Sequence, residues 1–127
     1  MRNALIPASI DRLAHCRVDA ELRVLDAARA VVDEVNALIA RSRPKLLNET
    51  QLREAAASIP SNIREGYGRR RGPERNQFFR FARGSAEETD ERLRANFAAK
   101  RVHAKLFWRF HNRLTVITRM LNALMSD

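Results

Sequence analysis

Arg101, Lys105, Arg109 and Arg113 are spaced four apart, which places them along one face of a helix. No Asp or Glu stands three or four residues from any of them. A row of uncompensated cations suits a row of phosphates. A second basic group, Arg69, Arg70, Arg71 and Arg75, lies around a predicted turn. Binding by such residues is expected to run mainly through phosphate contacts, with weak sequence specificity and strong salt dependence. The competing reading is a solvated face whose long side chains lie along the core.

The chain as a whole has this bias. Its 127 residues carry a formal net charge of +9. Of the 24 basic residues only Lys45, Lys100 and Lys105 are lysines, a pattern that an arginine-rich coding bias also produces. Such a bias would spread arginine evenly, and the charge is not even. Residues 64–83 hold seven basic against two acidic residues, and residues 100–119 hold six against none. Residues 19–41 and 84–99 are each net acidic. The segregation favours a polyanionic partner, RNA or DNA.

Other chemistries find little support. His103 and His111 are eight apart, with no Cys or His at ligand spacing, so no metal is expected. Glu87, Glu88, Asp90 and Glu91 lack the Glu-x-x-His pairs of a di-metal bundle and read as a solvated or ion-paired face. His15 and Cys16 are neighbours in a weakly patterned stretch, which makes a poor dyad. Gly66-x-Gly68 has Arg71 where a third dinucleotide-type glycine belongs and follows no strand. No cofactor and no catalytic residue is assigned, and the chain reads as a non-enzyme. A single cysteine suits a reducing cytoplasm, and no apolar run is long enough for a membrane span. The Phe residues fall on predicted core stripes, so no base-stacking platform is expected, with Tyr67 and Trp108 as exceptions.

Four helices must position these groups. Residues 1–18 read as a loose or partly helical arm, and residues 19–127 as the folded domain. The first helix spans about 19–42. Leu25, Ala28, Val32, Val35 and Ile39 form its apolar stripe, which Leu22 and Leu38 widen. Pro44 closes it. Asn48 and Gln51 suggest a capping box for the second helix. Its stripe, Leu52, Ala56, Ile59 and Ile63, stays in phase across Pro60, which predicts a kinked helix rather than two. Ser58 and Ser61 are placed to cover the freed backbone, and Asn62 and Glu65 to bond backbone or an arginine such as Arg53 or Arg69. Gly66 or Gly68 would end the helix in a left-handed turn. Gly72-Pro73-Glu74 opens the third helix. Its stripe is Phe78, Ala82, Ser85, Thr89, Leu93 and Phe97, with Phe81 and Ala86 beside it. Gly84 is expected to meet the Ala55-Ala56-Ala57 run at close range. The fourth helix, about 102–125, carries Leu106, Phe110, Leu114, Ile117, Leu121 and Leu124. No strand pattern appears. The fold class is all-α, an antiparallel up-and-down four-helix bundle.

The string Ser58-Ile59-Pro60-Ser61-Asn62-Ile63-Arg64-Glu65-Gly66-Tyr67-Gly68-Arg69 resembles a known family. So do Phe78-Phe79-Arg80-Phe81-Ala82-Arg83-Gly84-Ser85-Ala86-Glu87-Glu88 and the ending Met120-Leu121-Asn122-Ala123-Leu124. The family is that of small bacterial four-helix-bundle proteins encoded within intervening sequences of 23S ribosomal RNA genes. It includes the accessory proteins of diversity-generating retroelements, which bind nucleic acid and a reverse transcriptase. The resemblance covers about 22–125. It implies a ring, typically a homopentamer, with no catalytic residues. Ser58, Pro60, Asn62, Glu65, Gly66, Gly68 and Gly84 are then residues of a structural motif. The chain departs from the commoner pattern at Arg64, at Ala86 and in the short segment joining its first two helices. A ring offers the arginines a rival use, because residues 87–91 of one protomer can meet a basic stripe on the next. The expected function is a basic oligomeric module that binds RNA or DNA. The alternative is a structural or adaptor oligomer whose basic residues make protein–protein contacts.

Overall fold

The apolar stripes resolve into four helices packed in a square. The computed structural model describes the backbone of residues 8–125 and the side chains of residues 19–125. The helices are α1 (Ala8–Arg41), α2 (Glu49–Tyr67), α3 (Pro73–Ala98) and α4 (Ala104–Met125), with no strand among the described residues. α1 packs on α2 and α4, and α3 packs on the same two. α1 begins at Ala8 rather than near Asp19, so residues 8–18 continue the helix. The rest of the expected arm, residues 1–7, and the side chains of His15 and Cys16 lie outside the described residues.

The core is fully apolar at its centre. Val24, Val31 and Val35 meet Leu52, Ile59 and Ile63, with Phe79, Leu93, Phe107, Phe110 and Ile117 closing it. The α2 stripe is buried as read. Most predicted positions of the other three stripes are buried too, and a few give way to a neighbour. Leu22 is 53% exposed, and Val24 and Val31 take the inner positions. Phe79 is buried, Phe81 is exposed and Phe78 lies between. Phe107 is buried, and Leu106 only partly. A helix in a square faces two neighbours, so its buried arc is broad. Periodicity gives the spacing, but it does not say which of two adjacent apolar residues points inward.

Of the motif residues, Asn62 bonds backbone and Glu65 pairs with Arg69 at 3.4 Å as expected, while the serines, the cap and the glycines work differently. α2 runs unbroken through the buried Pro60. Asn62 Nδ2 donates to the Ser58 carbonyl at 2.9 Å, while Ser61 is exposed. The Ser58 hydroxyl instead pairs across the helix interface with that of Ser85, at 2.7 Å. Asn48 sits in a left-handed conformation (φ 50°, ψ 45°) and makes no side-chain cap bond, so the capping box does not form. Gly68 has ordinary helical φ (−76°), and α2 ends on its N–H donating to the Arg64 and Glu65 carbonyls. Gly66 is needed for space: a Cβ there would lie 2.6 Å from Phe79 Cε1. Gly84 touches neither the alanine run nor anything else within 4 Å of its missing Cβ.

Buried polar groups secure both ends. At one end the Tyr67 hydroxyl donates to the Glu21 carbonyl, and Arg75 pairs with the Glu21 carboxylate. Burial, and then the nearby Glu21 charge, push the Tyr67 phenol above its usual range. At the other end the buried Asn96 holds the α1–α2 connection. Its Oδ1 accepts from Leu47 N–H at 2.7 Å, and its Nδ2 donates to the Leu47 and Arg92 carbonyls at 3.2 and 2.9 Å. Its own carbonyl accepts from Arg101 and Val102. Asn96→Ala strands both Leu47 groups, so a cost of about 2 kcal/mol is expected. A urea titration with a lower midpoint and an unchanged m-value checks this.

Candidate nucleic-acid interface

The eight sequence-nominated cations do not form one surface. Arg69, Arg70 and Arg71 are exposed in the α2–α3 connection. Arg69 is already engaged, with Glu65 and Glu74 both at 3.4 Å and the Phe78 ring 5.0 Å from its guanidinium carbon. Arg70 makes no ion pair among the described residues and is open to a ligand.

Arg75 does not belong to the interface. It is buried, with Glu21 on its guanidinium and the Phe79 and Tyr67 ring centroids 5.1 and 5.6 Å away. Its position three residues into α3 turns it toward α1, and leaving that pocket would expose Glu21 unpaired. Its role is to join α1, α2 and α3.

The α4 ladder is real along the helix, but it is partly neutralised across it. Glu34 of α1 pairs with Arg113 and lies 3.8 Å from Arg109. Counting acids along α4 misses this, because the acid comes from another helix. Arg101 donates to the Lys45 carbonyl and braces the connection held by Asn96. Lys105 is exposed and makes no ion pair among the described residues. Trp108 stands one turn on, 48% exposed, its ring 5.4 Å from that of His111.

The two basic regions lie at opposite ends of α3. Its 26 residues span about 39 Å at 1.5 Å per residue. The structure also gathers Arg43, Lys45 and Arg53 around a groove of about 430 Å³ between α1 and α2, in which Glu49 pairs with Lys45 at 3.2 Å. These cations were not nominated, and the local signal for them was the Arg41-x-Arg43-Pro44-Lys45 cluster at a helix end.

The carboxylates of α3 point elsewhere. Asp90 bonds His111 Nδ1 at 2.8 Å and lies 3.5 Å from Arg94. Glu88 pairs with Arg92 at 3.4 Å. Glu87 and Glu91 border a groove of about 390 Å³ between α3 and α4, with Asp90 and His111 inside. No group of three or more metal-ligating side chains occurs among the described residues. No helix, among the described residues, is long and apolar enough to cross a membrane.

The family profile described as 23S rRNA-intervening sequence protein matches residues 20–123. The chain belongs to this family. Among curated proteins no sequence matches it. A solved structure of a protein with unknown function from the S23 ribosomal protein family, from Bacteroides thetaiotaomicron, has a TM-score of 0.79 to this fold at 17% sequence identity. The match covers 85% of this chain and 99% of that one. At such identity the likeness bears on the fold alone. The family match leaves out residues 1–19 and includes every helix interface described above.

Proposed function

We propose that this family member is a non-enzymatic, oligomeric module that binds RNA or DNA through phosphate contacts. The observation that carries the reading is the segregated, outward-facing charge: Arg70 at one end of α3, and Lys105 and Arg109 toward the other, all exposed. A polyanion that reaches from one region to the other spans about the length of α3, about 39 Å. Consecutive helices run antiparallel in this reading. It is supported by the contacts of Tyr67 and Arg75 with Glu21, and of Asn76 with Met125.

The test is a titration with RNA and DNA at 50 and 200 mM salt. With four phosphate contacts to a single strand, affinity is expected to fall about 50-fold between the two conditions. Arg70→Glu and Arg109→Glu are each expected to weaken binding. A flat salt response, or binding untouched by both reversals, overturns the reading.

A second reading has its own support. Glu87 and Glu91 are exposed and make no ion pair among the described residues, while basic residues line other helices. In a ring with a heterologous interface these acids meet the cations of the next protomer. Light scattering separates the cases. A 14.6 kDa species removes the ring. A charge reversal that dissolves an oligomer while RNA binding persists supports the adaptor reading.

A further inference from the structure

Two features of α3 have no use inside the fold. Phe81 is 48% exposed, although its neighbour Phe79 is fully buried. Gly84 lies one turn further on, and a Cβ there meets nothing within 4 Å. A mid-helix glycine weakens a helix relative to alanine, and no neighbour among the described residues requires one here. The two positions are three apart, so they share one outer strip of the helix.

The surroundings of that strip are basic toward the start of α3, while Glu87 and Glu88 stand one turn beyond Gly84. Phe78 meets Phe81 edge-on, with ring centroids 5.9 Å apart at 86°, and carries the Arg69 guanidinium on its ring. The aromatic pair therefore touches the α2–α3 connection. The two acids of residues 64–83, Glu65 and Glu74, both pair with Arg69. Arg70 and Arg80 remain exposed, and among the described residues Arg80 donates to Gln77 at 2.8 Å.

We propose that this strip binds single-stranded nucleic acid. An unpaired base stacks on Phe81 over the bare backbone at Gly84, while Arg70 and Arg80 hold flanking phosphates. The inference rests on the nucleic-acid reading above and adds to it the strand form and a stacking contact. Charge selects the occupant. At its basic end, around Arg70 and Arg80, an isologous contact with a second copy brings like charges together, whereas a polyanion with flat apolar faces satisfies both the arginines and the ring. A duplex keeps its base faces stacked internally and gains nothing from Phe81.

The experiment compares an unstructured RNA oligonucleotide with a duplex of equal length, on the full chain. Phe81→Ala is expected to weaken single-strand binding about 5- to 100-fold and to leave duplex binding within about twofold, because it removes stacking and no charge. Phe81→Trp is expected to restore the single-strand affinity. Gly84→Leu places bulk on the strip from a Cβ that meets nothing within 4 Å among the described residues. It is expected to weaken single-strand binding with no loss in urea midpoint. Equal losses for both ligands, or no loss for either, overturn the stacking contact while leaving the general reading intact. If the wild-type chain binds neither ligand, both fall. If Phe81→Ala changes the light-scattering mass and not the affinity, the strip is a contact between copies and the proposal is wrong.

Discussion

Glu21→Ala is expected to destabilise the fold by about 3 kcal/mol, because it leaves the Arg75 guanidinium buried without its counter-charge. Arg75 already has one buried nitrogen, Nε, with no acceptor, so it has little else to turn to. The lower end of the usual 3–5 kcal/mol range applies, since Glu21 retains some exposure to water. For a domain of ordinary stability, about 5–15 kcal/mol, this is a large fraction. A urea titration reads it directly. The double variant Glu21→Leu/Arg75→Met removes both charges and is expected to recover most of the loss. If the single variant costs under about 1 kcal/mol, the pair behaves as a surface ion pair, and Arg75 returns to the list of available cations.

Gly66→Ala is expected to destabilise, although local helix propensity argues the opposite. Alanine in place of a helical glycine gains up to about 1 kcal/mol from propensity, and less at Gly66, the penultimate residue of α2. Here the new methyl would sit 2.6 Å from Phe79 Cε1 and 2.9 Å from Cδ1. The ring has no room to retreat. It is fully buried, with Tyr67 edge-on at 5.9 Å and the Arg75 guanidinium 5.1 Å from its centroid. Overpacking of this kind costs about 1–3 kcal/mol, so the net effect is a loss. Phe79→Ala is expected to cost about 4 kcal/mol through the cavity it leaves. In Gly66→Ala/Phe79→Leu the smaller side chain makes space for the methyl, so the double variant should lose less stability than the sum of the two single losses. A Gly66→Ala variant that is more stable than wild type would show that the contact relaxes freely.

The helices were readable because their cause is local. Leu52, Ala56, Ile59 and Ile63 keep helical phase across Pro60, and that alone called for one helix where a proline suggested two. Pro73 after Gly72 marked the start of α3 for an equally local reason, a missing N–H at a position where none is used. The candidate interface was less readable. Charge counted along α4 gave four free cations, yet two of them share Glu34 of α1. Arg75 reads as surface by residue type, and its burial depends on Glu21, 54 residues away.

By itself the sequence determined an all-α chain of four amphipathic helices, the family it belongs to, and a basic excess concentrated in two segments. The helices and the basic excess follow from composition and short-range spacing, and the family from the resemblance carried by residues 58–69. Only the tertiary structure decided that Phe79 packs against Gly66, that Asn96 clamps the α1–α2 connection, and that Phe81 and Gly84 face outward. The physical reason is the same in all three cases. Helical periodicity defines a face about two residues wide, and which residue of an adjacent pair is buried depends on where the neighbouring helices lie.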